Sequence, residues 1–264
     1  MTDRVKEFYD KDSGTFTYLV VCQKTKETMV VDPVWNYDST KDSFSEKSFE
    51  EICEYIESHG LTPKIVYETH VHADHITASE LFKKKYKTST YIHKEVETVC
   101  SHFGVTFNSG DFDRYLKDGD TFQVGILNCE VIHTPGHTPA CASLLVGSHL
   151  FAGDSLFMPD FGTGRCDFPG GSAASLYDSV QKLYSLPDAT KVFVGHDYGP
   201  GGREVCSETS ILDSKRSNKH INEHTTKEAF QKMRTERDQT LNEPKLLKIS
   251  MKYNLNGGKS GLHA

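Results

Sequence analysis

The chain has 264 residues, a formal net charge of −7 and a pI of about 6.0, which predict one large domain, or one domain with an appendage. The sequence contains no long basic run and no apolar run long enough to cross a bilayer, so neither a nucleic-acid partner nor a membrane partner is expected. The 7 irregularly spaced cysteines and a charged N-terminus without a signal-peptide core predict a reduced, cytoplasmic protein.

Strands and helices alternate along most of the predicted structure. Short β-rich runs predict strands, the first two of them paired as a hairpin, at residues 15–22, 28–31, 65–66, 121–124, 126–133, 143–146, 150–152 and 191–194. Capping boxes, in which Ser or Thr precedes Glu by three positions, predict helix starts at Ser48, Thr77 and Thr225. Ser172 is a further candidate helix cap, and the helix that begins near Ser48 is expected to end at Gly60.

The composition changes beyond residue 200. The remaining sequence is polar and contains one sparsely apolar helical pattern, which is too little to build a core of its own. We therefore predict a main domain at residues 1–200 and a helical appendage at residues 201–264, packed on that domain.

The densest group of chemically active side chains lies at residues 69–75, Thr-His-Val-His-Ala-Asp-His. Imidazole and carboxylate are the ligands that hold zinc, iron and manganese in water-accessible sites. The group lies between the end of a predicted strand and the start of a predicted helix, where α/β proteins commonly bind ligands. A metal site at this loop is the favoured interpretation.

Three later polar residues occupy the same position relative to a predicted strand. His137 follows a Pro-Gly turn, Asp154 follows Gly153, and His196 follows Gly195. Each residue alone is as typical of a turn as of a metal site. Their recurrence in the order His-x-His-x-Asp-His, His, Asp, His favours a shared metal site.

This order resembles the metallo-β-lactamase superfamily. The resemblance implies an α/β fold, a four-layer αββα sandwich of two mixed sheets with helices on both outer faces, and metals at one edge. Residues 68–79, the Gly-Arg-Cys-Asp-Phe segment at 164–168, His196-Asp197-Tyr198 and the tail segments at 233–238 and 244–247 are similar to persulfide dioxygenases of the bacterial type.

The family resemblance implies oxidation of glutathione persulfide by O₂, to sulfite and glutathione, and a homodimer. One Fe(2+) per chain would be held by His70, His137 and Asp154. In that family the remaining polar residues form an outer shell or the relic of a second metal site, here His72, Asp74, His75 and His196. Outer-shell groups of this kind orient the ligands. Arg165 and Tyr198 match positions near the site and are candidates for substrate contact; an internal ion pair with Asp167 is the other interpretation of Arg165.

Two alternatives remain open at this stage. A hydrolase similar to glyoxalase II would use the same residues to hold two metals, zinc among them, and would cleave a glutathione thioester. A non-catalytic, sulfur-responsive metal-binding protein is the second alternative. His133 is expected to have a packing or outer-shell role, and Cys166 to be a small buried apolar residue rather than a reactive thiol.

Overall fold

The computed structural model describes residues 3–259. The strands, in chain order, are β1 (Asp3–Asp10), β2 (Thr15–Cys22), β3 (Glu27–Val31), β4 (Val34–Asp38), β5 (Ser43–Ser45), β6 (Thr62–Tyr67), β7 (Ile76–Thr77), β8 (Ser89–His93), β9 (Arg114–Leu116), β10 (Thr121–Val124), β11 (Leu127–His133), β12 (Ala142–Val146), β13 (His149–Gly153), β14 (Lys191–Val194) and β15 (Glu208–Ser210). The helices are α1 (Lys47–Ser58), α2 (Ser79–Tyr86), α3 (Val96–His102), α4 (Ala173–Tyr184), α5 (Ile211–Ser217), α6 (Lys227–Asp238) and α7 (Leu247–Asn254). None of these helices is long and apolar enough to span a membrane.

The strands form two six-stranded mixed sheets and a small third one. The first sheet has the order β1-β2-β3-β6-β8-β9, the second β10-β11-β12-β13-β14-β15, and the third β5-β4-β7. The predicted hairpin of β2 and β3 is confirmed as an antiparallel pair. From β3 to β9 the pairing in the first sheet is parallel, and β13 pairs in parallel with β14 in the second.

The main core lies between the two large sheets. Tyr18 and Tyr67 of the first sheet are fully buried there, and their hydroxyls donate to the carbonyls of Val194 (2.6 Å) and Ala142 (2.9 Å) in the second. A second apolar cluster joins the outer face of the first sheet to α1 and α2, and the buried stripe of α4 belongs to the main core. The predicted four-layer arrangement is confirmed by this architecture.

The predicted helix starts are only partly correct. Ser172 caps α4 by accepting from the Ser175 amide at 3.2 Å, as expected. The helix starts predicted from capping boxes at Ser48 and Thr77 are wrong. Helix α1 begins at Lys47 and α2 at Ser79, and neither has a side-chain cap. The hydroxyls of Ser48 and Thr77 instead donate to carboxylates elsewhere in the fold. The cap of α6 is Thr226, one residue later than predicted.

The segment after residue 200 is continuous with the second sheet. β15 pairs with β14, α6 packs on α4, and α7 packs against β7 next to the histidine loop. The division at residue 200 stays a prediction. All seven cysteines are free, and only Cys206 among them is exposed.

Candidate metal centre

The polar loops meet at one edge of the sandwich because each follows a core strand. The Thr69 carbonyl accepts from the Ala142 amide at 2.8 Å, and the Gly195 carbonyl accepts from the Phe16 amide at 2.9 Å. Gly153 has φ +50°, and a Cβ there would lie 2.5 Å from Thr69 Oγ1. The loop that carries Asp154 therefore approaches the histidine loop more closely than a residue with a side chain would permit.

Three of the predicted ligands form one compact group. Asp154 Oδ2 lies 3.5 Å from His137 Nε2 and 3.9 Å from His70 Nε2. One donor atom from each of these residues lies within 4.8 Å of the other two, and all three residues are buried. Two imidazoles and one carboxylate on one face are a donor set that suits non-haem iron and leaves coordination positions open.

Hydrogen bonds fix the ring orientation of both histidines. His137 Nδ1 donates to the Arg165 carbonyl at 2.7 Å, which turns Nε2 towards Asp154. Thr69 Oγ1 donates to Asp32 at 2.7 Å and so accepts from His70 Nδ1 at 3.0 Å. Both Nε2 atoms are therefore the unprotonated ones in the neutral rings, as metal binding requires.

Burial also keeps His70 in the neutral form. Burial, followed by the neighbouring imidazoles of His72 and His137, holds the pKa of His70 well below its usual range. His70 Nε2 is buried and has no hydrogen-bond partner among the described residues. An orphaned, unprotonated nitrogen of this kind is costly unless it binds a cation.

His72 is held from the opposite side by two buried carboxylates. Its Nε2 lies 3.0 Å from Asp32 Oδ1 and 3.2 Å from Glu68 Oε2. Burial alone would lower the pKa of His72, but Asp32 and Glu68 hold that pKa well above its usual range. His72 Nδ1 is buried and has no hydrogen-bond partner among the described residues. His72 is not one of the three residues of the compact group, although its ring lies next to that of His70, with centroids 4.1 Å apart.

The remaining predicted residues form a second group around the other oxygen of Asp154. Asp154 Oδ1 lies 3.4 Å from His196 Nε2, and Asp74 Oδ2 lies 3.5 Å from the same nitrogen. Asp74 also accepts from His75 Nδ1 at 2.9 Å, which leaves the buried His75 Nε2 without a partner. Thr15 Oγ1 lies between these groups and donates to Asp74 at 3.1 Å.

The residues present fit a metal cofactor. Four buried donor atoms converge on this edge with no hydrogen-bond partner in the described chain: His70 Nε2, His72 Nδ1, His75 Nε2 and Asp154 Oδ1. Natural proteins leave few buried polar atoms unsatisfied, so a group of four indicates a bound ion. The chemistry of this donor set supports iron, zinc or manganese.

A cavity of about 240 Å³ opens onto Asp154 and His137. Aromatic rings form much of its wall, contributed by Phe157, Phe161 and Phe168. Tyr198 also lines the cavity, and its ring stacks parallel to that of His196 with centroids 5.8 Å apart.

Arg165 lines the same cavity, but its guanidinium already has partners. Nε and one terminal nitrogen donate to Asp167, each at 2.6 Å, and the other terminal nitrogen donates to the Asn242 carbonyl at 2.8 Å. Substrate contact by Arg165 and Tyr198 stays a prediction, and the internal ion pair of Arg165 is present.

A family model described as "Metallo-beta-lactamase superfamily" matches residues 10–196. The chain belongs to this superfamily. Membership in this superfamily, together with the grouped His and Asp side chains, supports a metal cofactor, and which of these residues bind it stays a prediction.

The relatives of this chain are named for different enzyme activities. The chain is 38% identical to "Glyoxylase B2" of Dictyostelium discoideum, over 97% of the chain and 91% of the relative. It is 30% identical to "Persulfide dioxygenase ETHE1, mitochondrial" of Homo sapiens, over 74% of the chain and 68% of the relative. The resemblance to persulfide dioxygenases that was predicted from the sequence is thus confirmed.

A solved structure covers nearly the whole fold. The structure of ETHE1 from Myxococcus xanthus matches with a TM-score of 0.81 and 31% identity, over 97% of this chain and 100% of that one. The match includes most of the segment after residue 200, which the superfamily model does not reach.

His133 and Cys166 have the packing roles expected of them. His133 Nε2 donates to the Pro139 carbonyl at 2.9 Å, and its ring stacks on His93 with centroids 4.0 Å apart. Burial raises the pKa of the Cys166 thiol far above its usual range, so Cys166 does not supply a reactive thiolate.

Asp32, Glu68 and Thr15 were not predicted from the sequence. Thr15 and Asp32 stand alone in their segments, with no neighbouring ligand-type residue that forms a recognisable spacing. Two signals were available: Asp32 directly follows a buried β-strand, as Asp154 does, and Glu68 follows β6 two positions before His70.

Proposed function

We propose that the protein is a persulfide dioxygenase that converts glutathione persulfide, O₂ and water into sulfite and glutathione at a mononuclear Fe(2+) site. The observation that carries this proposal is the compact group of His70, His137 and Asp154, of which His137 and Asp154 line the cavity. When bound there, ferrous iron supplies open coordination positions for O₂ and the persulfide sulfur.

The side chains around this group have distinct tasks. The Arg165 carbonyl keeps the His137 ring oriented, while Thr69 and Asp32 do so for His70. The aromatic rings of the cavity wall offer an apolar surface for the sulfur end of the substrate. Tyr198 is 52% exposed where it lines the cavity, and a phenol is protonated at neutral pH, so its hydroxyl is available as a hydrogen-bond donor.

The relatives support this assignment at the level of the family. A human relative is named a persulfide dioxygenase, and the ETHE1 structure from Myxococcus xanthus shares the fold over nearly the full chain. Transfer of the named activity to this chain is part of the proposal.

A second candidate is a binuclear thioester hydrolase that uses zinc or another metal pair. The observation in its favour is the second group, in which Asp154 Oδ1 and His75 Nε2 are buried and have no hydrogen-bond partner among the described residues; His72 Nδ1, beside the compact group, is a further such atom. The relative named Glyoxylase B2 also supports it. Asp154 would then serve both metals, one through each carboxylate oxygen.

Metal stoichiometry and oxygen uptake distinguish the candidates. The protein is purified and reconstituted without oxygen, its metals are counted, and an oxygen electrode follows the reaction with glutathione persulfide. One iron per chain and O₂ uptake in proportion to sulfite are expected. Two metals per chain with hydrolysis of lactoylglutathione and no oxygen uptake would replace the proposal by the hydrolase. A protein that binds no metal would favour the non-catalytic binder.

A further inference from the structure

The segment after residue 200 supplies one wall of the cavity. Arg234, Arg237, Leu241 and Pro244 line it, together with Arg165 from the loop after β13. Two of these three arginines are paired with carboxylates. Arg165 is held by Asp167, and Arg234 by Asp238 at 2.9 Å from its Nε.

Arg237 differs from the other two. Its side chain is exposed, and its guanidinium forms no hydrogen bond or ion pair with any described residue. A guanidinium without a carboxylate on the wall of a substrate cavity has its full set of donors available for an anion.

A second cation without a carboxylate partner among the described residues, Lys219, lies near it. Lys219 Nζ lies 5.5 Å from the centroid of Phe161, one of the rings in the cavity wall, and makes no ion pair in the described chain. Burial, and after it the charge of Arg237, lowers the pKa of Lys219. Asp160 is an acid whose charge raises the pKa of Lys219, and both Asp160 oxygens already accept from Arg203.

We propose that Arg237, assisted by Lys219, binds a carboxylate of the glutathione part of the substrate while the sulfur end enters the cavity towards Asp154. The carboxylate would accept a forked pair of hydrogen bonds from the guanidinium. The inference rests on the proposed function for the identity of the thiol. It assigns the anion contact to Arg237 rather than to Arg165, whose donors are already used.

Glutathione itself is the probe, because it carries the carboxylates without requiring turnover. Its binding to the metal-reconstituted protein is measured by calorimetry for the wild type, Arg237→Ala, Arg237→Lys and Arg216→Ala. Arg216 is the matched control, an exposed arginine on α5 that does not line the cavity. We expect about tenfold weaker binding for Arg237→Ala, partial recovery with lysine, and no change for Arg216→Ala.

Glutathione with both carboxylates esterified tests the same contact without a mutation. The ester should bind the wild type and Arg237→Ala with equal, weak affinity. Steady-state kinetics with glutathione persulfide should show a raised KM and a nearly unchanged kcat for Arg237→Ala. Iron content and Tm, measured on each variant, separate a lost contact from a damaged fold.

The two proposals fail in different ways. Equal affinity of the wild type for glutathione and its ester, equal binding by the wild type and Arg237→Ala, or no glutathione binding to the wild type would overturn the assignment of Arg237. Absence of oxygen uptake, with Arg237-dependent glutathione binding retained, would overturn the dioxygenase and leave the anion contact standing.

Discussion

The histidine loop (residues 69–75) and the tail wall face the same cavity but are built in different ways. The tail wall is the side of the cavity formed by Arg234, Arg237, Leu241 and Pro244. In the loop, buried rings are fixed by hydrogen bonds, and three ring nitrogens lack a hydrogen-bond partner among the described residues. In the tail wall, the buried Arg234 is satisfied by Asp238 and the Thr163 carbonyl, and the exposed Arg237 is unpaired. The contrast agrees with the two proposals, in which the loop holds a metal and the wall binds an anionic organic group.

The largest effect is expected from removing a metal ligand. His70→Ala, His137→Ala or Asp154→Ala should reduce iron content to background, because two remaining donors cannot retain a labile ferrous ion. His72→Ala is the matched comparison, since it lies outside the compact group and should retain iron. Elemental analysis of anaerobically reconstituted proteins measures this. Equal loss of metal in His72→Ala would show that the two groups act as one binuclear site.

A smaller but still large effect is expected from the carboxylate behind the loop. Asp32 is buried and bonds the Thr69 amide, the Thr69 hydroxyl and His72. Asp32→Ala should lower the free energy of unfolding by about 3–5 kcal/mol, because it leaves a buried imidazole without this charge partner.

Urea unfolding of the metal-free protein measures the effect of Asp32→Ala apart from metal binding. Asp12→Ala, an exposed position in the turn after β1, is the control and should change stability by less than about 0.5 kcal/mol. If Asp32→Ala were as mild as Asp12→Ala, the loop would not depend on this carboxylate for its shape.

Site residues could be predicted from the sequence where they lie close together along the chain. The histidine loop was predicted because its ligand-type residues lie within a few positions, and the strands that position it were predicted from β-rich runs. Asp32 was missed because the parallel pairing of β3 and β6 brings it to a loop that is distant in sequence. Glu68 lies four positions before His72, but the contact between them depends on the conformation of the loop. The tail wall was missed because arginines on a sparsely apolar helix are also typical of a solvent-exposed face.

We expect the free energy of unfolding to depend on pH through His220, whose pKa is affected by the cations of the tail wall. Burial, followed by Arg234, Arg237 and Lys219, lowers the pKa of His220 to about 3. In the unfolded chain His220 takes up a proton near pH 6.5, whereas in the folded protein it stays neutral down to about pH 3. The folded state therefore keeps its full stability above pH 6.5 and loses stability as the pH falls towards 3. The loss should be about 2 kcal/mol at pH 5.

The difference between two variants measures the contribution of His220. His220→Gln should flatten the fall in unfolding free energy between pH 7 and pH 5, whereas His224→Gln, at a side chain 85% exposed, should leave it unchanged. Parallel curves for the wild type and His220→Gln would show that the wall does not hold this ring neutral.

The smallest expected effect distinguishes the two arginines of the cavity. Arg165 and Asp167 form a partly exposed ion pair, with side chains 17% and 34% accessible, so their coupling energy should be about 1 kcal/mol. A double-mutant cycle with Arg165→Ala and Asp167→Ala measures it. Asp167→Ala also releases the Arg165 guanidinium from its carboxylate.

If Arg165 braces the loop, both single variants should lose the same stability and neither should change the KM for glutathione persulfide by more than about twofold. If Arg165 is instead a substrate contact, Arg165→Ala should raise KM and Asp167→Ala should lower it, and the contrast drawn between Arg165 and Arg237 would not hold.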